Sequence, residues 1–142
     1  MDDAFQLNCI MLIDDNKLDN FYHERVIRKH NAAKHVVVKE SGEEALLYLR
    51  NKSQNPADMH PEIIFLDINM PGMNGWEFIE EYKKLDAEVQ SRMVVVMLTT
   101  SENPDDVAKA KANDVLFAFK TKPLTIEILN EVMKRYHDGA GH

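Results

Sequence analysis

The chain is poor in several things, and each shortage narrows what it can be. Cysteine occurs once, at Cys9, so an internal disulfide is excluded; within the apolar run Cys9–Ile13 this residue reads as a small buried hydrophobe rather than a reactive thiol. No apolar stretch approaches the roughly 20 residues a bilayer crossing needs, which excludes a membrane span. Positive charge is in deficit: 17 Lys and Arg face 24 Asp and Glu, a net charge of -7. Neutralising phosphates takes clustered cations, so a free-standing nucleic-acid binder is disfavoured. The N-terminus, MDDAFQLN, is acidic and lacks the basic start of a secretory signal, making the cytoplasm the expected location. No internal repeat or low-complexity tract occurs.

What is present belongs to an ordinary globular domain. A length of 142 residues, 44% hydrophobic and 29% charged, is enough for one core. Five short apolar runs, Cys9–Ile13, Val36–Val38, Ile63–Leu66, Met93–Leu98 and Val115–Phe119, read as buried strands. Segments with helical spacing alternate with them. Leu18, Tyr22 and Val26, with Phe21 beside them, mark the first predicted helix; Ala45, Leu46 and Leu49, behind a Ser41–Glu44 capping box, mark the second. Trp76, Ile79 and Leu85 mark the third, Val107 and Ala110 after Pro104 the fourth, and Ile126, Leu129, Val132 and Met133 the fifth. Strict alternation of this kind predicts a parallel α/β sheet covered on both faces. The polar stretch Asn51–Glu62 reads as a long surface loop.

In such a sheet, chemistry collects beyond the carboxyl ends of the strands. Asp14 and Asp15 follow the first run, Asp67 the third, Thr99, Thr100 and Ser101 the fourth, and Lys122–Pro123 the fifth. Singly, an aspartate after a strand is commonly a helix cap and Lys-Pro a turn signal. Taken together, three carboxylates, a hydroxyl and an ammonium at one edge are explained by a single site. Close carboxylates repel unless a cation intervenes, and an oxygen-only ligand set suits Mg²⁺ or a similar divalent ion such as Mn²⁺. The six histidines are scattered, which disfavours zinc. A carboxylate held this way can attack phosphorus and form an acyl phosphate, with Lys122 and Thr99 bonding phosphoryl oxygens. No dedicated base for water is evident, so the expected product is a stored signal rather than rapid turnover. No glycine-rich turn follows the first strand, and the acidic DDNKLDN would repel a pyrophosphate, so dinucleotide binding is disfavoured.

The pieces MLIDDN, IIFLDINMPGMNG, VVVMLTTS and FAFKTKP, in this order and spacing, resemble the receiver domain of two-component response regulators. The resemblance runs over residues 8–136, leaving 1–7 as an N-terminal extension and 137–142 as a tail, in part a cloning remnant, and it suggests a receiver that stands alone. It implies a flavodoxin-like, doubly wound five-stranded parallel sheet of order 2-1-3-4-5 with five helices, and a cis peptide before Pro123. It makes Asp67 the phosphoacceptor, Asp14, Asp15, Asp67 and the Asn69 backbone carbonyl the metal-binding set, and Thr99 and Lys122 the partners of the phosphoryl group. Phe119 stands where the family often has a tyrosine or another aromatic that swings inward on activation, and Ala112–Leu116 departs from the family's glycine-containing turn. The implied donor is a sensor histidine kinase or phosphotransfer protein. Recruiting Thr99 toward a phosphoryl group would tug the loop after it. The expected output surface, for a downstream protein or a second copy in a homodimer, is therefore the fourth helix, fifth strand and fifth helix around Asp106, Lys109, Phe119 and Lys120; the alternative is that these are solvated charges. Direct contact with nucleic acid or membrane is not implied, nor is enzymatic activity beyond the chain's own phosphorylation and slow dephosphorylation. Two rival functions are an Mg²⁺-dependent aspartyl-phosphate hydrolase and a non-phosphorylated pseudo-receiver scaffold. The first calls for a second acid two positions past the nucleophile, where Asn69 stands; the second is opposed by the presence of every site residue type.

Overall fold

The structure, a computed structural model, describes residues 6–51, 59–100 and 103–139. The start of the N-terminal extension, the middle of the Asn51–Glu62 loop, Ser101 and the end of the tail lie outside the described residues. The chain runs β1 (Leu7–Ile13), α1 (Lys17–Lys29), β2 (Ala33–Lys39), α2 (Gly42–Arg50), β3 (Ile63–Leu66), α3 (Gly75–Tyr82), α4 (Ala87–Gln90), β4 (Val94–Thr99), α5 (Pro104–Ala112), β5 (Leu116–Thr121) and α6 (Ile126–Gly139). The strands form one parallel sheet in the order β2-β1-β3-β4-β5, as expected.

Strand side chains alternate between two cores. Cys9, Met11 and Ile13 of β1, with Ile64, Leu66, Val95 and Met97, pack with Ala45 and Leu46 of α2 and Phe78 and Ile79 of α3. Ile10, Leu12, Ile63, Phe65, Val96 and Leu98 face the other way, onto Ile27 of α1 and Leu129, Val132 and Met133 of α6. The period of two puts neighbours along a strand on opposite faces, which is why continuous apolar runs serve a sheet covered on both sides.

Three details differ from the expectations. There are six helices among the described residues, not five: α4 is a single turn, too short to show an apolar period, held by Gln90 N–H on Asp86 O at 3.0 Å and Ser91 N–H on Ala87 O at 2.9 Å. Leu85, assigned to the third helix, lies beyond its end at Tyr82. The largest difference is in α1. Leu18 is 79% exposed and Phe21 60% exposed, with Tyr22 also outward, while the buried residues are Asn20, His23 and Ile27. The helix turns its polar stripe inward because its first turns pack on the charged edge of the sheet, where Asn20 Nδ2 donates to the Asp14 carbonyl at 2.7 Å. A buried carbonyl needs such a partner more than the helix needs one more apolar contact.

Candidate functional site

The sheet carries the expected side chains to one edge. Asp14 directly follows β1, and its N–H donates to Lys39 O at 3.1 Å; the Asp67 N–H, directly after β3, donates to Ile13 O at 3.1 Å. These bonds extend the parallel ladder by one step, so both carboxylates leave the sheet side by side. Thr99 ends β4, and its carbonyl accepts the Lys122 N–H at 2.9 Å, which places the lysine beside the hydroxyl. The Lys122–Pro123 peptide is cis, as the resemblance implied. Behind Asp67 the chain turns through Gly72 at φ +75° into α3, whose start is capped reciprocally by Asn74 and Glu77 at 2.9 Å each way. Gly75 lies so close that a Cβ there would sit 2.6 Å from the Asp67 carbonyl oxygen. Glycine is therefore what allows α3 to begin against the site.

Carboxylate oxygens of Asp14, Asp15 and Asp67 all lie within 4.8 Å of one another; Asp14 and Asp67 are buried and Asp15 is exposed. Lys122 Nζ is 2.5 Å from Asp14 Oδ2, 2.8 Å from Asp19 Oδ2 and 3.7 Å from Asp67 Oδ2. Burial, and then the neighbouring Asp14 charge, raises the Asp67 pKa above the ordinary aspartate value, against the opposing pull of Lys122, the Thr99 hydroxyl and the Ile68 N–H. For Lys122 burial works downward, but hydrogen bonds to Asp14 and Asp19 and the charges of Asp14 and Asp67 outweigh it and raise the pKa. One ammonium thus faces a surplus of carboxylate, and the cluster is an all-oxygen donor set of the kind that suits a hard divalent cation.

Residues 10–134 match the family described as the response regulator receiver domain. The chain belongs to that family. Receiver domains are phosphoacceptor modules of two-component signalling rather than classical enzymes, and this is the functional class of the chain. The receiver is similar to "Response regulator Rcp1" of Synechocystis, 31% identical over 98 residues that make up 69% of this chain and 65% of that protein. Among solved structures it is similar to a two component response regulator from Cytophaga hutchinsonii, with 33% identity, a TM-score of 0.84, and coverage of 94% of this chain and 98% of that one. It is also similar to the Mn(2+)-bound form of Rcp1, with 26% identity, a TM-score of 0.68, and coverage of 90% and 91%. No helix among the described residues of this receiver is long and apolar enough to cross a membrane.

The fold brings Asp14, Asp15, Asp67, Thr99 and Lys122 together. Asn69 sits exposed in the loop two residues past Asp67. Phe119 lies half-buried on β5, in register with Met97, and packs on the core beneath α2 and α3. The charged side chains of the expected output face have partners within the chain. Asp106 Oδ1 accepts from Trp76 Nε1 at 2.8 Å, the Lys109 ammonium lies 5.8 Å from the Trp76 ring centroid, and Lys120 Nζ meets Glu131 Oε2 at 2.5 Å. α5 buries none of its residues fully, and Asp106 and Lys109 link it to Trp76 of α3, while Lys120–Glu131 joins β5 to α6.

Sequence reasoning missed Asp19, Asn20 and His23. Asp19 pairs with Lys122, Asn20 holds the Asp14 carbonyl, and His23 is buried next to them, its pKa lowered by burial and then by Lys122 against Asp19 and Asp14. The signal was Asn16, whose side chain accepts the Asp19 N–H at 3.0 Å: a cap there starts α1 at Lys17 and sends residues 20, 23 and 27 inward.

Proposed function

We propose that residues 8–136 form the receiver unit, that Asp67 is its phosphoacceptor and that Asp14, Asp15, Asp67 and the backbone carbonyl of Asn69 hold Mg²⁺. The observation that carries this reading is the convergence of three carboxylates within 4.8 Å of one another, with Lys122 and the Thr99 hydroxyl beside Asp67. The ligand set fits the ion, because it offers only oxygen and holds more negative charge than Lys122 balances. A solved relative that binds Mn²⁺ supports the same class of cation here. When bound, the ion supplies positive charge that offsets the carboxylates and phosphoryl oxygens.

Asp67 attacks the phosphorus of a phosphohistidine on a sensor histidine kinase or phosphotransfer protein in the cytoplasm. An oxygen–phosphorus bond forms, the nitrogen–phosphorus bond breaks, and the imidazole leaves. Lys122 and Thr99 donate to the transferred oxygens. The chain catalyses only this acquisition and the slow attack of water on the acyl phosphate, which regenerates the Asp67 carboxylate and releases inorganic phosphate. Leu18, Phe21 and Tyr22, exposed on α1 just beyond Asp15, give the donor protein an apolar surface beside the pocket. Drawing Thr99 toward the phosphoryl group shifts the β4–α5 connection and frees Phe119 to change rotamer. The face formed by α5, β5 and α6 then binds a downstream protein, or a second copy as a homodimer.

Incubation with Mg²⁺ and acetyl phosphate, read by intact mass, tests the reading. One phosphate-sized adduct is expected, absent in Asp67→Asn and without the metal. An adduct that survives Asp67→Asn would place the acceptor elsewhere.

A further inference from the structure

Lys122 has two strong partners, and only one belongs to the carboxylate cluster. An ammonium carries three protons. Asp14 Oδ2 at 2.5 Å and Asp19 Oδ2 at 2.8 Å take two, while Asp67 Oδ2 at 3.7 Å is beyond hydrogen-bond reach. Asp19 stands apart from the three carboxylates that can share a cation. It comes from the first turn of α1, where its N–H is fixed by the Asn16 cap, and it meets a lysine 103 positions away in sequence.

A phosphoryl group on Asp67 brings about -1.5 to -2 of charge and strong acceptor oxygens to the side of Lys122 that now has only the long contact. The third proton is free to meet those oxygens, and the added charge draws the ammonium toward Asp67 and away from whichever present partner gives it up more readily. Asp14 belongs to the same carboxylate cluster as Asp67, so a lysine drawn toward the phosphoryl group stays beside it, whereas Asp19 lies outside that cluster. The Asp19 side chain is 37% exposed, and water can solvate it when the ammonium leaves. We infer that Asp19 is a positioning residue that draws Lys122 toward α1 in the unphosphorylated receiver and yields it to the phosphoryl group. The inference rests on the reading of Asp67 as acceptor. It makes the phosphorylated state compete with a resting ion pair, and it ties the lysine's movement to the first turn of α1, the turn that also presents Leu18.

Beryllofluoride, which mimics a phosphoryl group on a carboxylate, separates the possibilities when titrated calorimetrically at fixed Mg²⁺. Asp19→Asn is expected to bind it about two- to five-fold more tightly than the parent chain, the range of a partly exposed ion pair that no longer has to be broken. Asp19→Glu, which restores the carboxylate, should return most of the way to the parent affinity. In the parent chain, the Asp19 carboxyl ¹³C resonance should move on addition of beryllofluoride as its ammonium leaves. A merely structural role would lower the melting temperature of Asp19→Asn without tightening binding. Equal or weaker binding by Asp19→Asn, or an Asp19 resonance that stays in place, would overturn the inference. Binding retained by Asp67→Asn, or none by the parent chain, would instead overturn the acceptor reading.

Discussion

The two ends of the sheet are opposites. At the amino end, between β3, β4 and α6, lies a hollow of about 550 Å³ bordered by Asn8, Glu62, Arg92, Phe117 and Tyr136. At the carboxyl end the cavity under Asp14, Asn20, His23 and Asp67 is only about 10 Å³. Yet the buried charges and the converging carboxylates are at the small end. Volume is therefore a poor guide to chemistry in this molecule. A site that takes up a hydrated ion and a phosphoryl group needs fixed charges near the surface, not a deep apolar hole. The large hollow has polar groups that already satisfy one another: Glu62 accepts from the Asn8 N–H at 2.6 Å, and more distantly from the Tyr136 hydroxyl at 3.5 Å.

That contrast can be broken from either end. The largest effect is expected from Lys122→Met, which leaves Asp14 and Asp67 buried without their cation. Without metal it should cost about 3 kcal/mol in urea unfolding, the order seen when one partner of a buried ion pair is removed. Saturating Mg²⁺ should narrow the deficit. Gly75→Ala comes next. Its Cβ must push the Asp67 carbonyl away from 2.6 Å, at about 2 kcal/mol, and the phosphorylation rate should fall with it because Asp67 moves.

Asp67→Asn acts in the opposite direction on stability. The folded-state pKa of Asp67 is raised, so this group's contribution is fully present below the ordinary carboxylate value and is lost as pH rises through the raised one. With chelator present, Asp67→Asn should melt above the parent at neutral pH, and the advantage should close as the solution is acidified. An advantage independent of pH would show that burial and the Asp14 charge do not act on Asp67 as described. The smallest effect belongs to the amino end. Tyr136→Phe removes one long hydrogen bond to Glu62, so about 0.5 kcal/mol or less is expected, with phosphate uptake unchanged. A loss of phosphorylation there would mean that the two ends are coupled.

α1 shows where reading the sequence met its limit. The apolar residues Leu18, Tyr22 and Val26 have a plausible helical spacing, and periodicity alone assigns them to the core. The structure buries Asn20, His23 and Ile27 and leaves Leu18 and Tyr22 outward, while Val26 packs half-buried on the core as its spacing suggests. Periodicity carries no information about which stripe a charged sheet edge prefers. Likewise the Ser41 cap was legible, its hydroxyl accepting the Glu44 N–H at 3.1 Å, because a cap is local. The single-turn α4 was not, because four residues hold less than a full repeat of the pattern.

By itself the sequence determined the strand runs, their alternation with helices, and hence the parallel sheet and the edge at which Asp14, Asp15, Asp67, Thr99 and Lys122 would emerge. These follow from side-chain hydrophobicity and chain connectivity, both written locally. Only the tertiary structure decided which carboxylates share the lysine, that Asp19 is one of them, that Gly75 must be glycine, and that Leu18, Phe21 and Tyr22 of α1 face solvent. Those outcomes depend on distances between segments as much as 103 residues apart, set by packing that no single stretch encodes.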